Sequence, residues 1–121
     1  MRQSVVIVGA SDKQDRFAYK AFKLLAQHGH TLLPVHPQLK LIEGVKVFSN
    51  LDQIEGPVDT LTMYVSPKIS SELKNQIIKL KPQRIIFNPG SENPELELNL
   101  NNAGIEVIND CTLIMLNSKR F

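Results

Sequence analysis

Residues 4–11 read Ser4-Val5-Val6-Ile7-Val8-Gly9-Ala10-Ser11, and that order of residue types decides the fold. Four β-branched side chains in a row, with no polar alternation, describe a strand buried on both faces, the situation of a central strand in a parallel sheet. A glycine directly behind such a strand permits a tight turn and lets a ligand come close to the main chain. A polar bend follows from Asp12 to Arg16, and then a helical pattern from Phe17 to His28. A helix starting there aims unpaired N–H groups and the positive end of its dipole back at the turn, which suits a phosphate. The opening residues therefore read as the first βα unit of a nucleotide-binding, Rossmann-like domain. The dinucleotide fingerprint G-x-G-x-x-G is absent, since its second and third glycine positions, counted from Gly9, hold Ser11 and Gln14.

Working outward, Phe17, Tyr19, Phe22, Leu24, Leu25 and Ala26 form the apolar side of the first helix, opposite Lys20, Lys23 and Gln27, and Gly29 closes it. His28 and His30 flank that glycine and read as a solvated helix end rather than metal ligands. Thr31 to Val35 is a second strand, kept short or irregular by Pro34, which has no N–H for a ladder. A short strand is expected at Val45 to Phe48, followed by one helical turn, Leu51 to Ile54, capped by Asn50. Thr60 to Val65 is the third main strand. Ser66 and Pro67 are suited to the N-cap and first position of a helix whose buried stripe is Ile69, Leu73, Ile77, Ile78 and Leu80. Arg84 to Phe87 is the fourth strand, and Pro94 to Ala103 a helix with Leu96, Leu98 and Leu100 partly buried. Ile105 to Ile108 is the fifth strand, and Cys111 to Asn117 a final helix. Strands alternating with helices, joined by right-handed crossovers, give an α/β fold: a doubly wound parallel sheet of about five strands in three layers. Two successive βαβ halves suggest the strand order 3-2-1-4-5, and residues 1–121 form one domain.

Composition narrows the function. Apolar residues make up 42% of the 121 residues, enough for one ordinary core. Lys and Arg outnumber Asp and Glu by 14 to 12, and Trp is absent, so neither a basic footprint nor a stacking platform for nucleic acid is indicated. The single cysteine, Cys111, excludes an internal disulfide, fits a reducing compartment and reads as structural. No apolar run approaches the roughly 20 residues of a membrane span, and no basic-then-apolar leader precedes the first strand. The expectation is a cytoplasmic protein that contacts neither nucleic acid nor membrane.

In an open parallel sheet, ligands bind off the carboxyl ends of the strands where the strand order reverses. That rule gathers four turns: Gly9-Ala10-Ser11, Val35-His36-Pro37, Tyr64-Val65-Ser66-Pro67 and Asn88-Pro89-Gly90. None supplies a nucleophile with a base, paired carboxylates or a metal-ligand spacing, so binding is better supported than catalysis. A site for NAD usually places Asp or Glu at the end of the second strand for the ribose hydroxyls. Here that place holds His36-Pro37-Gln38, with Lys40 just beyond. A basic side chain instead of an acid suits an additional phosphate, as on coenzyme A or NADP.

These residues, in this order, carry a family resemblance. Val8-Gly9-Ala10-Ser11, Arg16 followed by Tyr19, Gly29 to Pro37, Pro89-Gly90 after the fourth strand and Asp110-Cys111 after the fifth resemble the small stand-alone CoA-binding domain proteins. These are similar to the N-terminal domain of the succinyl-CoA synthetase α subunit. The resemblance implies coenzyme A or an acyl-CoA as ligand. Gly9, Ala10 and Ser11 would form the pyrophosphate loop, with Lys13 and Arg16 offsetting Asp12 and Asp15. Val35 and Pro37 would border the adenine, with His36 between them in the same cofactor-binding turn, and Lys40 would approach the 3′-phosphate. Tyr64, Val65 and Ser66 would line the opposite wall, and Pro89 and Gly90 would flank the pantetheine arm. The chain departs from the family pattern at Phe17-Ala18, His36 and Phe87-Asn88. The expected role is non-catalytic, as a carrier, sensor or partner module, with a protein partner or a homodimer possible. The alternatives are an NAD(P)-binding redox protein and a protein-interaction domain whose nucleotide site has decayed.

Overall fold

The computed structural model describes residues 2–121. β1 (Ser4–Val8) lies at the interior of a five-stranded, wholly parallel sheet with β2 (Thr31–Val35), β5 (Thr60–Met63), β6 (Arg84–Phe87) and β7 (Glu106–Asn109), in the order β2-β1-β5-β6-β7. The unbroken apolar run of β1 is explained by its position. Val5 and Ile7 join a core beneath one face, Val6 and Val8 a core beneath the other, and the first three of these are fully buried. α1 (Phe17–Gln27) and α5 (Thr112–Asn117) cover the first face through Phe22, Leu25 and Leu116. α3 (Lys74–Leu80) and α4 (Pro94–Asn102) cover the second through Ile77, Leu96 and Leu100. Each such buried side chain contributes about 1.5–3 kcal/mol relative to exposure. The result is a three-layer, Rossmann-like α/β fold.

The strand order differs from the expected 3-2-1-4-5. Counting only the five main strands, it is 2-1-3-4-5: Thr60–Met63 pairs with β1, not with the outer edge of β2. Either order needs a crossover of a dozen or more residues between these parallel strands. Residues 36–59 supply it without an α-helix and deliver the chain to the free side of β1 instead of the outer edge of β2. They form an antiparallel hairpin, β3 (Leu41–Ile42) with β4 (Val45–Lys46), and a 3-10 turn, Leu51–Gln53, whose Asn50 cap accepts the Asp52 N–H at 2.9 Å. Only Phe48 reaches the outer edge of β2, in a single bridge to Val35, so the expected strand at 45–48 is split between hairpin and bridge.

Four smaller expectations are also corrected. The helix after Ser66 breaks at Leu73 into α2 (Pro67–Glu72) and α3, and Ile69 is exposed rather than part of a continuous stripe. Leu98 is 62% exposed, since a spacing of two residues puts it on the face of α4 opposite Leu96 and Leu100. Phe17 is 67% exposed, and it falls outside the i, i+3, i+4, i+7 series Ala18, Ala21, Phe22 and Leu25 that faces the core. His30 is not a solvated end: its Nδ1 accepts the Gln3 N–H at 3.0 Å, its ring lies 5.2 Å from that of Phe121, and burial lowers its pKa.

Candidate functional site

The strand order reverses between β1 and β5, and a crevice of about 810 Å³ opens over their carboxyl ends. It is built from all four turns that the sequence singled out. Twelve expected residues line it: Gly9, Ala10, Ser11, Lys13, Arg16, His36, Pro37, Tyr64, Val65, Ser66, Pro89 and Gly90. Val35 and Lys40 do not. Val35 is buried in the core and offers only its carbonyl to the turn above; Lys40 is exposed, and its carbonyl accepts the Val47 N–H at 2.9 Å.

Gly9 turns the chain at φ +83°. A Cβ there would meet Val65 Cγ1 at 2.8 Å and the Tyr64 carbonyl carbon and oxygen at 3.1 Å. The residue is a glycine because the turns after β1 and β5 press together at that point. The N–H groups of Gly9 and Ala10 both donate to the Val35 carbonyl, at 3.2 and 3.1 Å. These two amides tie the turn to β2 and are already paired. Farther along, Ser11 Oγ accepts the Lys13 N–H at 3.1 Å, and no side chain caps α1. Its first-turn amides, with the positive end of the helix dipole, are therefore the open donors beside the crevice. Lys13 and Arg16 add two cations to the lining against the one carboxylate of Asp12.

The opposite wall is held by a buried polar network. Asn88 is 3% exposed; its Nδ2 donates to Thr62 Oγ1 at 2.7 Å and to the Met63 carbonyl at 2.9 Å, and its Oδ1 accepts the Thr112 N–H at 2.9 Å. Ser91 Oγ donates to the Asn88 carbonyl at 2.7 Å, fixing the Pro89-Gly90 turn from below. One asparagine thus joins β5, β6 and the start of α5. Sequence reasoning placed Asn88 in the turn but gave it no role; its signal was a polar residue directly after three buried apolar ones. Phe17, Gln38, Leu39 and Ser91 also line the crevice and were not anticipated.

The Tyr64 hydroxyl is buried without a hydrogen bond, beside the Thr62 and Thr112 hydroxyls, which bond each other at 2.8 Å. Burial pushes this phenol up to about 12. Below pH 10 both folded and unfolded chains keep the proton; above it the unfolded chain loses its proton first. The associated stability, about 2–3 kcal/mol, is therefore lost between pH 10 and 12. Tyr64→Phe is expected to be about 1 kcal/mol more stable than wild type at pH 7, because an unsatisfied hydroxyl is removed. Its stability should also fall less between pH 10 and 12, as read by urea unfolding at each pH. A variant that is less stable at pH 7 and keeps the full alkaline loss would contradict this.

Cys111 is half-buried at the N-cap of α5 and does not line the crevice. Its N–H donates to Asp110 at 2.7 Å, and the same carboxylate, held below its ordinary pKa by Arg120, accepts from that guanidinium at 2.9 Å. Among the described residues no helix is long and apolar enough to cross a membrane.

Comparison with known proteins agrees with this architecture. The sequence model of the CoA binding domain matches residues 3–117. A crystal structure of an uncharacterized protein superposes with a TM-score of 0.94 at 40% identity, covering 100% of this chain and 99% of that one. The uncharacterized protein YneT of Bacillus subtilis (strain 168) is 33% identical over 60 residues, 50% of this chain and 44% of the relative. The α subunit of an ADP-forming acetate–CoA ligase II from Pyrococcus furiosus is 31% identical over 67 residues, 54% of this chain and 14% of the relative. The matches thus span less than half the length of either curated relative.

Proposed function

This chain belongs to the CoA-binding domain family, and from that premise we propose that its crevice binds coenzyme A or an acyl-CoA without performing chemistry on it. The observation that carries the reading is the coincidence of a family match over residues 3–117 with a crevice at the reversal of strand order, where such folds bind nucleotides. The uncapped start of α1, with Lys13 and Arg16, takes the diphosphate. Pro37 and Val65 border the adenine, Tyr64 and Ser66 line the far wall, and the Pro89-Gly90 turn flanks the pantetheine arm. Val35 acts through its carbonyl, and Lys40 serves the 3′-phosphate only at the outer rim. The Pyrococcus furiosus relative, a subunit of a CoA ligase, supports the same ligand class. The role is that of a carrier, sensor or partner module in a reducing cytoplasm, where the thiol of the ligand and Cys111 both stay free.

Thermal unfolding with coenzyme A, acetyl-CoA, NAD and NADP tests this reading. A ligand held at 100 times its Kd adds about 2.7 kcal/mol, several degrees for a domain of this size. Coenzyme A or acetyl-CoA is expected to raise the Tm and NAD to leave it unchanged. A larger rise with NAD would overturn the assignment.

A further inference from the structure

We infer that His36 is a fixed N–H donor that selects ligands carrying a phosphate on the ribose, an inference that rests on the crevice being a coenzyme A site. Two backbone amides, those of Gln38 and Leu39, both donate to His36 Nδ1 at 3.0 Å. A ring nitrogen that accepts hydrogen bonds carries no proton, so the one proton of the neutral imidazole sits on Nε2. The ring's position is fixed as well. The His36 backbone N–H donates to the Phe48 carbonyl at 3.0 Å, and Pro37 limits the chain behind it. Nδ1 does the work that an Asn or Asp oxygen does in an Asx turn, accepting from the amide two residues on. Unlike those side chains, imidazole has a second polar edge. With Nδ1 turned to the 38–39 backbone, Nε2–H is left for the crevice that His36 lines.

The consequence for specificity follows from polarity. A ribose diol is held by a carboxylate that accepts from both hydroxyls. Residues 36–39 offer no such acceptor, and the one acceptor nitrogen of His36 is already occupied. An N–H at this point gains most from an anionic oxygen, where a hydrogen bond is charge-assisted and about twice as strong as a neutral one. The preferred ligand therefore carries a ribose phosphomonoester, whether the 3′-phosphate of coenzyme A or the 2′-phosphate of NADP.

Calorimetric titration of wild type, His36→Asn and His36→Asp with coenzyme A, dephospho-coenzyme A, NADP and NAD tests the inference. A long-range 1H–15N spectrum of the ligand-free protein accompanies it. Both variants keep an acceptor for the 38–39 amides and should retain the wild-type Tm within a few degrees. Wild type is expected to prefer coenzyme A over its dephospho form by about tenfold or more. His36→Asn should reduce that preference at least threefold, and His36→Asp should abolish or reverse it. The spectrum should show the Nε2–H tautomer. A preference unchanged in His36→Asn, or a proton on Nδ1, overturns the inference while leaving the coenzyme A reading intact. Preference for NADP over NAD with no coenzyme A binding supports the donor and overturns the coenzyme A reading. Binding of none of the four overturns both.

Discussion

Gly9→Val is expected to cost about 2–5 kcal/mol of stability. Two independent penalties add. A β-branched L-residue at φ +83° enters a backbone region that costs about 1–2 kcal/mol even for smaller side chains. Its Cβ would also lie 2.8 Å from Val65 Cγ1 and 3.1 Å from the Tyr64 main chain, and over-packing of that kind costs about 1–3 kcal/mol. Against a total stability of about 5–15 kcal/mol the loss is a large fraction. Gly9→Ala should fall between the two, since it meets the same contacts with fewer atoms. Urea unfolding followed by circular dichroism reads both. A valine variant within 1 kcal/mol of wild type would show that the β1 and β5 turns are not packed as described. The sequence already marks Gly9 as required, but for the approach of a phosphate; the structure adds that the steric demand comes from the neighbouring turn.

Asn88→Ala is expected to cost about 2–4 kcal/mol and to weaken ligand binding with it. Removing the side chain leaves the Thr112 N–H without its acceptor and takes a donor from both Thr62 Oγ1 and the Met63 carbonyl. Each buried group left unpaired costs about 1–3 kcal/mol. The loss is softened because Thr62 still bonds Thr112, and the backbone N–H of residue 88 still donates to the Met63 carbonyl at 3.4 Å. Asn88→Asp should keep the acceptor for Thr112 but place a carboxylate against two oxygens, and so should be no better than alanine at pH 7. A drop of less than about 0.5 kcal/mol in Asn88→Ala would mean that the network is not what joins β5, β6 and α5.

The fold was legible where one local rule decided it. The run Val5 to Val8 could only be a strand buried on both faces, and Ser66-Pro67 could only open a helix. The strand order was not legible, because residues 36–59 could carry the chain to either side of the β1–β2 pair. A hairpin and a 3-10 turn make that crossover without an α-helix, and in sequence they look like a connection with a short strand. The crevice was largely legible, since twelve of its residues sit on turns that the topology must bring to one edge. Its hydrogen bonding was not. Nothing in the sequence says that the Val35 carbonyl takes up two amides of the glycine turn or that Asn88 faces inward. Those facts arise from pairing across β1, β2 and β5, at separations that local patterns do not reach.

The central claim, that the ligand lies across the β1 and β5 turns, is tested most directly by following backbone amide resonances of the 15N-labelled protein during titration with coenzyme A. The account predicts saturable shifts confined to residues 11–18, 36–39, 64–66 and 88–91, with the α1 first-turn amides and the Gly90 amide among the largest. Shifts clustered at the amino ends of the strands, around Gln3, His30 and Arg84, or no saturable shift at millimolar coenzyme A, would contradict it.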